Sequence, residues 1–68
     1  MDTHALQDMI PVYEAGIASI DERIEALKKE RAAMPPEERT SYTRRITSLE
    51  DGRRDMVYAL SELRKYYS

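Results

Sequence analysis

Two runs of apolar residues with a spacing of 3.5 residues, separated by a double proline, constrain this chain more than any other feature. In both runs the steps between apolar positions alternate between three and four residues. This spacing is typical of the narrow stripe of a coiled coil rather than the broader stripe of a globular helix. We call the positions in these runs the seam positions. In each run, an arginine occupies one of the eight positions, and apolar or tyrosine side chains occupy the other seven. The seam positions are Ile10, Tyr13, Ile17, Ile20, Ile24, Leu27, Arg31 and Met34, then Tyr42, Ile46, Leu49, Arg53, Met56, Leu60, Leu63 and Tyr67.

Pro35 and Pro36 break the helical pattern between the two runs. Each proline lacks an amide hydrogen and restricts the residue before it. Pro36 also suits the first position of a new helix, with Glu37 and Glu38 in the first turn near the positive end of the helix dipole. A short break between two amphipathic helices makes an antiparallel hairpin. We therefore predict one all-α domain over residues 1–68, an antiparallel two-helix coiled-coil hairpin. Its predicted parts are helix 1 at about 8–33, a Pro-Pro turn at 34–36 and helix 2 at about 37–67.

The start of helix 1 has two possible positions. Asp8 is a good N-cap residue, and Pro11 is tolerated in the first turn of a helix that starts there. The alternative is an earlier start at Thr3 with a kink near Pro11. The start at Asp8 is favoured, which leaves residues 1–7 frayed or packed loosely through Leu6.

The stretch EDGRRD, residues 50–55, contains a turn signal at Asp51-Gly52. A turn there would reset the seam spacing, but the spacing continues without a shift, so we predict one continuous helix. With the hairpin turn near Pro36, the numbers of facing residues sum to about 73, which places Arg53 opposite Ile20. The predicted register-setting polar cluster is Asp21, Glu50 and Arg53, because the guanidinium lies between two carboxylates that would otherwise repel.

The same register predicts the pairs along one flank of the seam. It places Glu30 near Arg45, which have opposite charges. It also places Gly16 near Ala59, where small residues permit a close approach of the two helices.

Several large apolar residues lie off the seam, mostly toward the end of the hairpin remote from the prolines. A lone hairpin of this size buries little apolar surface. We therefore predict a homodimer that forms a four-helix bundle, with docking onto another protein or a monomeric hairpin as alternatives. The predicted interface residues are Met9, Val12, Tyr13, Val57, Tyr58, Tyr66 and Tyr67.

The residue inventory gives no support for catalysis, cofactors or metals. The chain has no cysteine, and His4 is its only histidine, so disulfides, cysteine-ligated zinc and a histidine-based metal site within one chain are excluded. Gly16 and Gly52 are isolated and form no phosphate-binding loop. The carboxylates of helix 1 fall on outward positions, as on a solvated charged face. We predict no catalytic, cofactor-binding or metal-binding residues.

The charge pattern argues against nucleic acid as the main partner. The net charge is −2, and residues 36–68 hold seven basic and six acidic residues. A phosphate-binding face is expected to carry a much larger basic excess. The chain also contains no long apolar run, and its acidic N-terminus is unlike a signal peptide. We expect a cytoplasmic protein that does not enter membranes.

The predicted function is a non-enzymatic helical interaction module that self-associates and acts by binding another protein. One alternative is a small nucleic-acid-associated regulator that uses arginines of helix 2. The residues of that alternative are Arg44, Arg45 and Arg54. Another is a structural accessory or inhibitor protein of bacterial or phage origin. No motif in the chain is specific enough to name a family.

Overall fold

The fold is a hairpin of two long α-helices. A computed structural model describes residues 7–67, without the side chain of Tyr67. Helix α1 spans Met9–Ala33 and helix α2 spans Arg39–Tyr67, with a 3-10 turn at Pro36–Glu38 between them. No strand occurs in the described range, so the prediction of an all-helical hairpin is confirmed. The hairpin is a rod about 52 Å long and 17 by 14 Å across.

Helix α1 begins directly after Asp8, the residue predicted as its N-cap. However, the Asp8 side chain makes no capping hydrogen bond, and its backbone is helical (φ −67°, ψ −16°). Pro11 lies in the first turn of α1, where the amide hydrogens have no partner within the helix, so its missing donor costs nothing there. The alternative start at Thr3 lies outside the described residues.

The Pro-Pro turn reverses the chain within a few residues. Met34 and Pro35 are extended, with ψ of 151° and 152°, as expected for residues that precede a proline. The amide of Met34 donates to the carbonyl of Arg31 at 3.1 Å, and the amide of Glu38 donates to that of Pro35 at 3.0 Å. Arg39 Nε donates to the Met34 carbonyl at 3.0 Å and so satisfies one free acceptor beside the C-terminus of α1. Helix α2 then runs back along α1.

The core between the helices is thin. Only Ile24, Ile46 and Leu60 are buried among the described hydrophobic residues, with 5%, 3% and 6% of their surface exposed. All three occupy seam positions. The remaining apolar seam residues of the described chain are half-buried, because each helix covers only one side of the other.

The contacts between the helices fit the predicted register. A Cβ on Gly16 would lie 2.5 Å from Cε of Met56, so the Met56 side chain rests on the Gly16 backbone. Arg31, at a seam position, donates from Nη1 to Thr43 Oγ1 at 3.3 Å. The residue numbers of these two pairs sum to 72 and 74, close to the predicted sum of about 73. The neighbour found against Gly16 is Met56 rather than Ala59, since the methionine side chain fills the space that the glycine leaves.

Helix α2 is continuous through Asp51-Gly52, as the seam spacing predicted. Gly52 has an ordinary helical backbone, and a Cβ placed on it would meet nothing within 4 Å. The glycine is therefore compatible with a helix and leaves open space beside it. Over residues 7–67, neither helix has an apolar stretch long enough to cross a bilayer.

Candidate functional site

The two long sides of the hairpin differ in how their charges are paired. On one side, which we call the ion-paired side, two ion pairs join the helices. Arg53 Nε donates to Asp21 Oδ1 at 2.6 Å, and Arg64 Nη2 lies 3.5 Å from Glu14 Oε2. All four side chains are between two-fifths and three-fifths exposed, so each pair contributes little to stability.

The predicted register-setting cluster is only partly assembled. Arg53 reaches Asp21 across the interface, but it makes no ion pair with Glu50 among the described residues. Glu50 lines the same shallow groove as Arg53 on the ion-paired side. Glu50 is exposed, so solvent can reach its carboxylate.

The opposite side carries a groove lined by arginines from both helices. Arg23 comes from α1, and Arg44 and Arg45 come from α2. Leu27 and Leu49 form its apolar floor. None of these three guanidiniums forms an ion pair or a hydrogen bond with a described residue. We call this feature the arginine groove. The guanidinium of Arg45 lies above the Tyr42 ring, 6.0 Å from its centroid.

The arginine groove differs from the arginine set that the sequence suggested for nucleic acid. Arg44 and Arg45 belong to it, but Arg54 lies in the groove of the ion-paired side, 3.6 Å from Asp51. Arg23 was not among the predicted residues, because the sequence of α2 alone does not show what α1 contributes to the groove. The register that placed Glu30 near Arg45 also places Arg23, seven residues earlier, beside α2.

Acidic residues limit the arginine groove toward the turn. Glu37 and Glu38 line a neighbouring depression that also includes Arg45. The basic surface is therefore short. It suits a few separate negative charges better than a continuous phosphate backbone, since the acidic neighbours would repel the next phosphates.

Large apolar side chains surround the end of the hairpin remote from the prolines, which we call the open end. Val12, Tyr58 and Tyr66 expose 69%, 68% and 81% of their surface. Met9 and Val57 are also exposed, and we call these five residues the apolar collar.

The apolar collar does not form a single patch. Val57 and Tyr58 are consecutive residues of α2 and therefore point about 100° apart. Val57 also borders the groove of the ion-paired side. Of the other predicted interface residues, Tyr13 is half-buried, and the side chain of Tyr67 lies outside the described part of the chain.

Within residues 7–67 the structure holds no group of three or more acidic, histidine or cysteine side chains placed to bind a metal ion. It also has no buried side-chain nitrogen or oxygen without a hydrogen-bond partner in that range. The polar groups of the described chain are thus on the surface, and the features available for recognition are the arginine groove and the apolar collar. The chain matches no protein-family model, no curated protein and no solved structure.

Proposed function

We propose that this chain is a non-enzymatic helical interaction module, which self-associates and acts by binding another protein through the apolar collar. One observation carries the proposal. Every large apolar side chain that is exposed in the described structure lies at the open end, and none lies in the half near the prolines. Although these side chains do not form a single patch, their concentration in one half of the rod suits a partner that contacts several sides of that end, and tyrosine is enriched at interfaces because it combines a large ring with a hydroxyl.

The thin core supports the self-association part of the proposal. Helices of 25 and 29 residues that bury three side chains between them gain little from one interface. Crude area accounting leaves such a hairpin near zero net stability. A second hairpin would cover part of the exposed apolar surface and form the four-helix bundle expected from the sequence.

The collar is tested by capture from extracts of the native host, with tagged wild-type chain and a double variant, Val12→Ser with Tyr58→Ser. The matched control is Thr40→Ala with Thr47→Ala, because these threonines are exposed on the half of α2 near the turn. We expect mass spectrometry to find a protein that the wild type and the control retain and that the collar variant loses at least tenfold. Equal retention by the collar variant contradicts the proposal.

A second candidate function, binding to nucleic acid, is favoured by the arginine groove alone. Its three guanidiniums have no carboxylate partner among the described residues. Against it stand the acidic residues next to the groove and the net charge of −2. If the chain has this function, a labelled DNA or RNA duplex should bind to it with a strong salt dependence, and the double variant Arg23→Glu with Arg44→Glu should abolish the binding.

A further inference from the structure

We propose that the arginine groove binds carboxylates of a second copy of the chain, above all Glu62, in an antiparallel dimer with a two-fold axis near the middle of α2. The proposal rests on the self-association given above. It adds the face that the second copy covers, its direction and the residues that pair across it.

The pairing state of the arginines is the first observation. Of the eight arginines in the chain, five contact an oxygen of a described residue. The three that do not are Arg23, Arg44 and Arg45, and all three line the same groove. Unpaired arginines scattered over a surface are ordinary. Three that converge over an apolar floor of Leu27 and Leu49 form a surface suited to carboxylates.

The second observation is that α2 carries acidic residues on the same side as this groove. Glu62 is 18 residues after Arg44, which is five turns of an α-helix, and Asp55 is 11 residues after it, about three turns. The three residues therefore point in nearly the same direction. Asp51, seven residues after Arg44, lies in the same row. This row of α2 thus carries an arginine near the turn and carboxylates from its middle to the open end. Glu62 is half-buried, and its one described ion pair is with Lys65 in the same helical turn.

A two-fold axis converts this asymmetry into complementarity. If the axis passes near residue 53 of α2, Arg44 of one copy faces Glu62 of the second copy, and the same pair forms again on the other side of the axis. Close to the axis, Asp51 of one copy faces Asp55 of the second, and Arg54 of the same helix lies 3.6 Å from Asp51 and offsets its charge. A parallel dimer on this side would instead bring the two sets of three arginines together, and like charges in contact repel. The charges therefore favour the antiparallel arrangement.

The dimensions of the hairpin also fit a second copy. A rod 52 Å by 17 Å presents a long side on the order of 800 Å², about the area that each partner contributes to a stable interface of standard size. Gly52 is seven residues after Arg45 and therefore lies on the same side of α2, and a Cβ there would meet nothing within 4 Å. The backbone of a second copy can therefore approach closely at the middle of the rod.

A charge exchange tests the pairing. We expect the wild type to sediment as a dimer, with twice the mass of the 7.9 kDa chain. Arg44→Glu should raise the dissociation constant at least tenfold, because it sets two carboxylates against each other at both ends of the interface. The double variant Arg44→Glu with Glu62→Arg should recover most of the affinity. Lys28→Glu is the control, since Lys28 lines the groove of the ion-paired side, and it should leave the dissociation constant unchanged.

The outcomes separate this proposal from the function on which it rests. A wild type with the mass of one chain at high concentration overturns both the dimer and the self-association. A wild-type dimer that Arg44→Glu leaves intact overturns only the role of the groove. The role of the groove is also overturned if the double variant does not recover the affinity of the wild type although circular dichroism shows that it is folded. If the wild-type groove instead binds a nucleic-acid duplex, and Arg44→Glu leaves the dimer intact, the occupant of the groove is nucleic acid.

Disulfide formation tests the direction, because the chain has no cysteine of its own. Gly52→Cys places a thiol close to the two-fold axis, and we expect it to form a disulfide between copies under mild oxidation. Tyr66→Cys places the two thiols about 40 Å apart along the rod in an antiparallel dimer, so it should stay reduced. Rapid formation of a disulfide by Tyr66→Cys, as a parallel dimer requires, overturns the arrangement.

Discussion

Gly16 and Gly52 both lie inside α-helices, but their surroundings differ. The side chain of Met56 occupies the space beside Gly16, whereas the space beside Gly52 is open. A helix-interior glycine costs about 1 kcal/mol relative to alanine, because its backbone is more flexible in the unfolded chain. At Gly16 the contact with Met56 offsets part of this cost, and at Gly52 nothing within one hairpin does.

This difference predicts that alanine changes the free energy of unfolding differently at the two positions. Gly52→Ala should stabilise the hairpin by about 1 kcal/mol, since the new methyl group meets nothing. Gly16→Ala should gain clearly less or lose stability, because the Met56 side chain must move. Urea unfolding at low protein concentration, where the hairpin is least associated, measures both. Equal gains would contradict the contact between Met56 and Gly16.

Arg53 gives a second prediction at the residue scale. Arg53 occupies a seam position, so its charge is partly removed from water, which costs free energy. Its ion pair with the half-exposed Asp21 carboxylate is weak and offsets little of that cost. Arg53→Leu should raise the melting temperature by a few degrees and relax the register or the oligomer specificity.

Arg54→Leu is the control for this change. It removes a more exposed arginine with an ion pair inside α2 and should change the melting temperature by about a degree or less. A clear fall in melting temperature for Arg53→Leu would contradict the prediction that Arg53 fixes the register at a cost in stability.

At the scale of the elements, the two helices are held by a narrow line of seam residues. The Pro-Pro turn fixes where they meet, through extended backbone at Met34 and Pro35 and the hydrogen bond from Arg39 to the end of α1. Since the turn is short, the helices lie antiparallel, and each residue of α1 has a definite neighbour on α2. Stability then depends on very few buried side chains.

Ile46→Ala should therefore unfold the hairpin at low concentration. Ile46 is the most buried of the three core residues, and removing such a side chain costs about 2–4 kcal/mol, which is comparable to the whole stability of so small a unit. Circular dichroism at 222 nm is the measurement, with Val12→Ala as the control at an exposed position. If Ile46→Ala keeps the helical signal and melting temperature of the wild type, the seam is not what holds the helices together.

At the scale of the whole molecule, the hairpin presents two unlike long sides and one apolar end. On the ion-paired side two ion pairs join the helices, whereas the arginines of the arginine groove have no carboxylate partner among residues 7–67. The collar adds exposed apolar surface at the open end. Both unsatisfied features suit contacts with other molecules, and the proposed dimer uses the first of them.

Self-association makes stability depend on concentration. A hundredfold rise in chain concentration should raise the melting temperature by roughly 5–10 °C, because mass action favours the associated folded state over the unfolded chain. Differential scanning calorimetry or circular dichroism at two concentrations measures the change. The variant Arg44→Glu should show a smaller shift. A melting temperature independent of concentration would contradict self-association.

Most of the fold could be predicted from the sequence, because its determinants are local or periodic. The 3.5-residue spacing of the seam positions, the break at Pro35-Pro36 and the unbroken spacing through Gly52 are readable without coordinates. They predict two helices, an antiparallel arrangement and a register near the one found. The ion pair of Arg53 with Asp21 follows from that register, since facing positions are fixed once the turn is placed.

Only the tertiary structure decided how the sides of the hairpin are composed. Arg23 joins Arg44 and Arg45 in one groove because both helices contribute to its lining. Likewise, Met56 rather than Ala59 covers Gly16, because a flexible side chain fills whatever space the backbone leaves. Periodicity in a sequence determines which residues face the seam, but pairing on the flanks depends on side-chain positions from both helices at once.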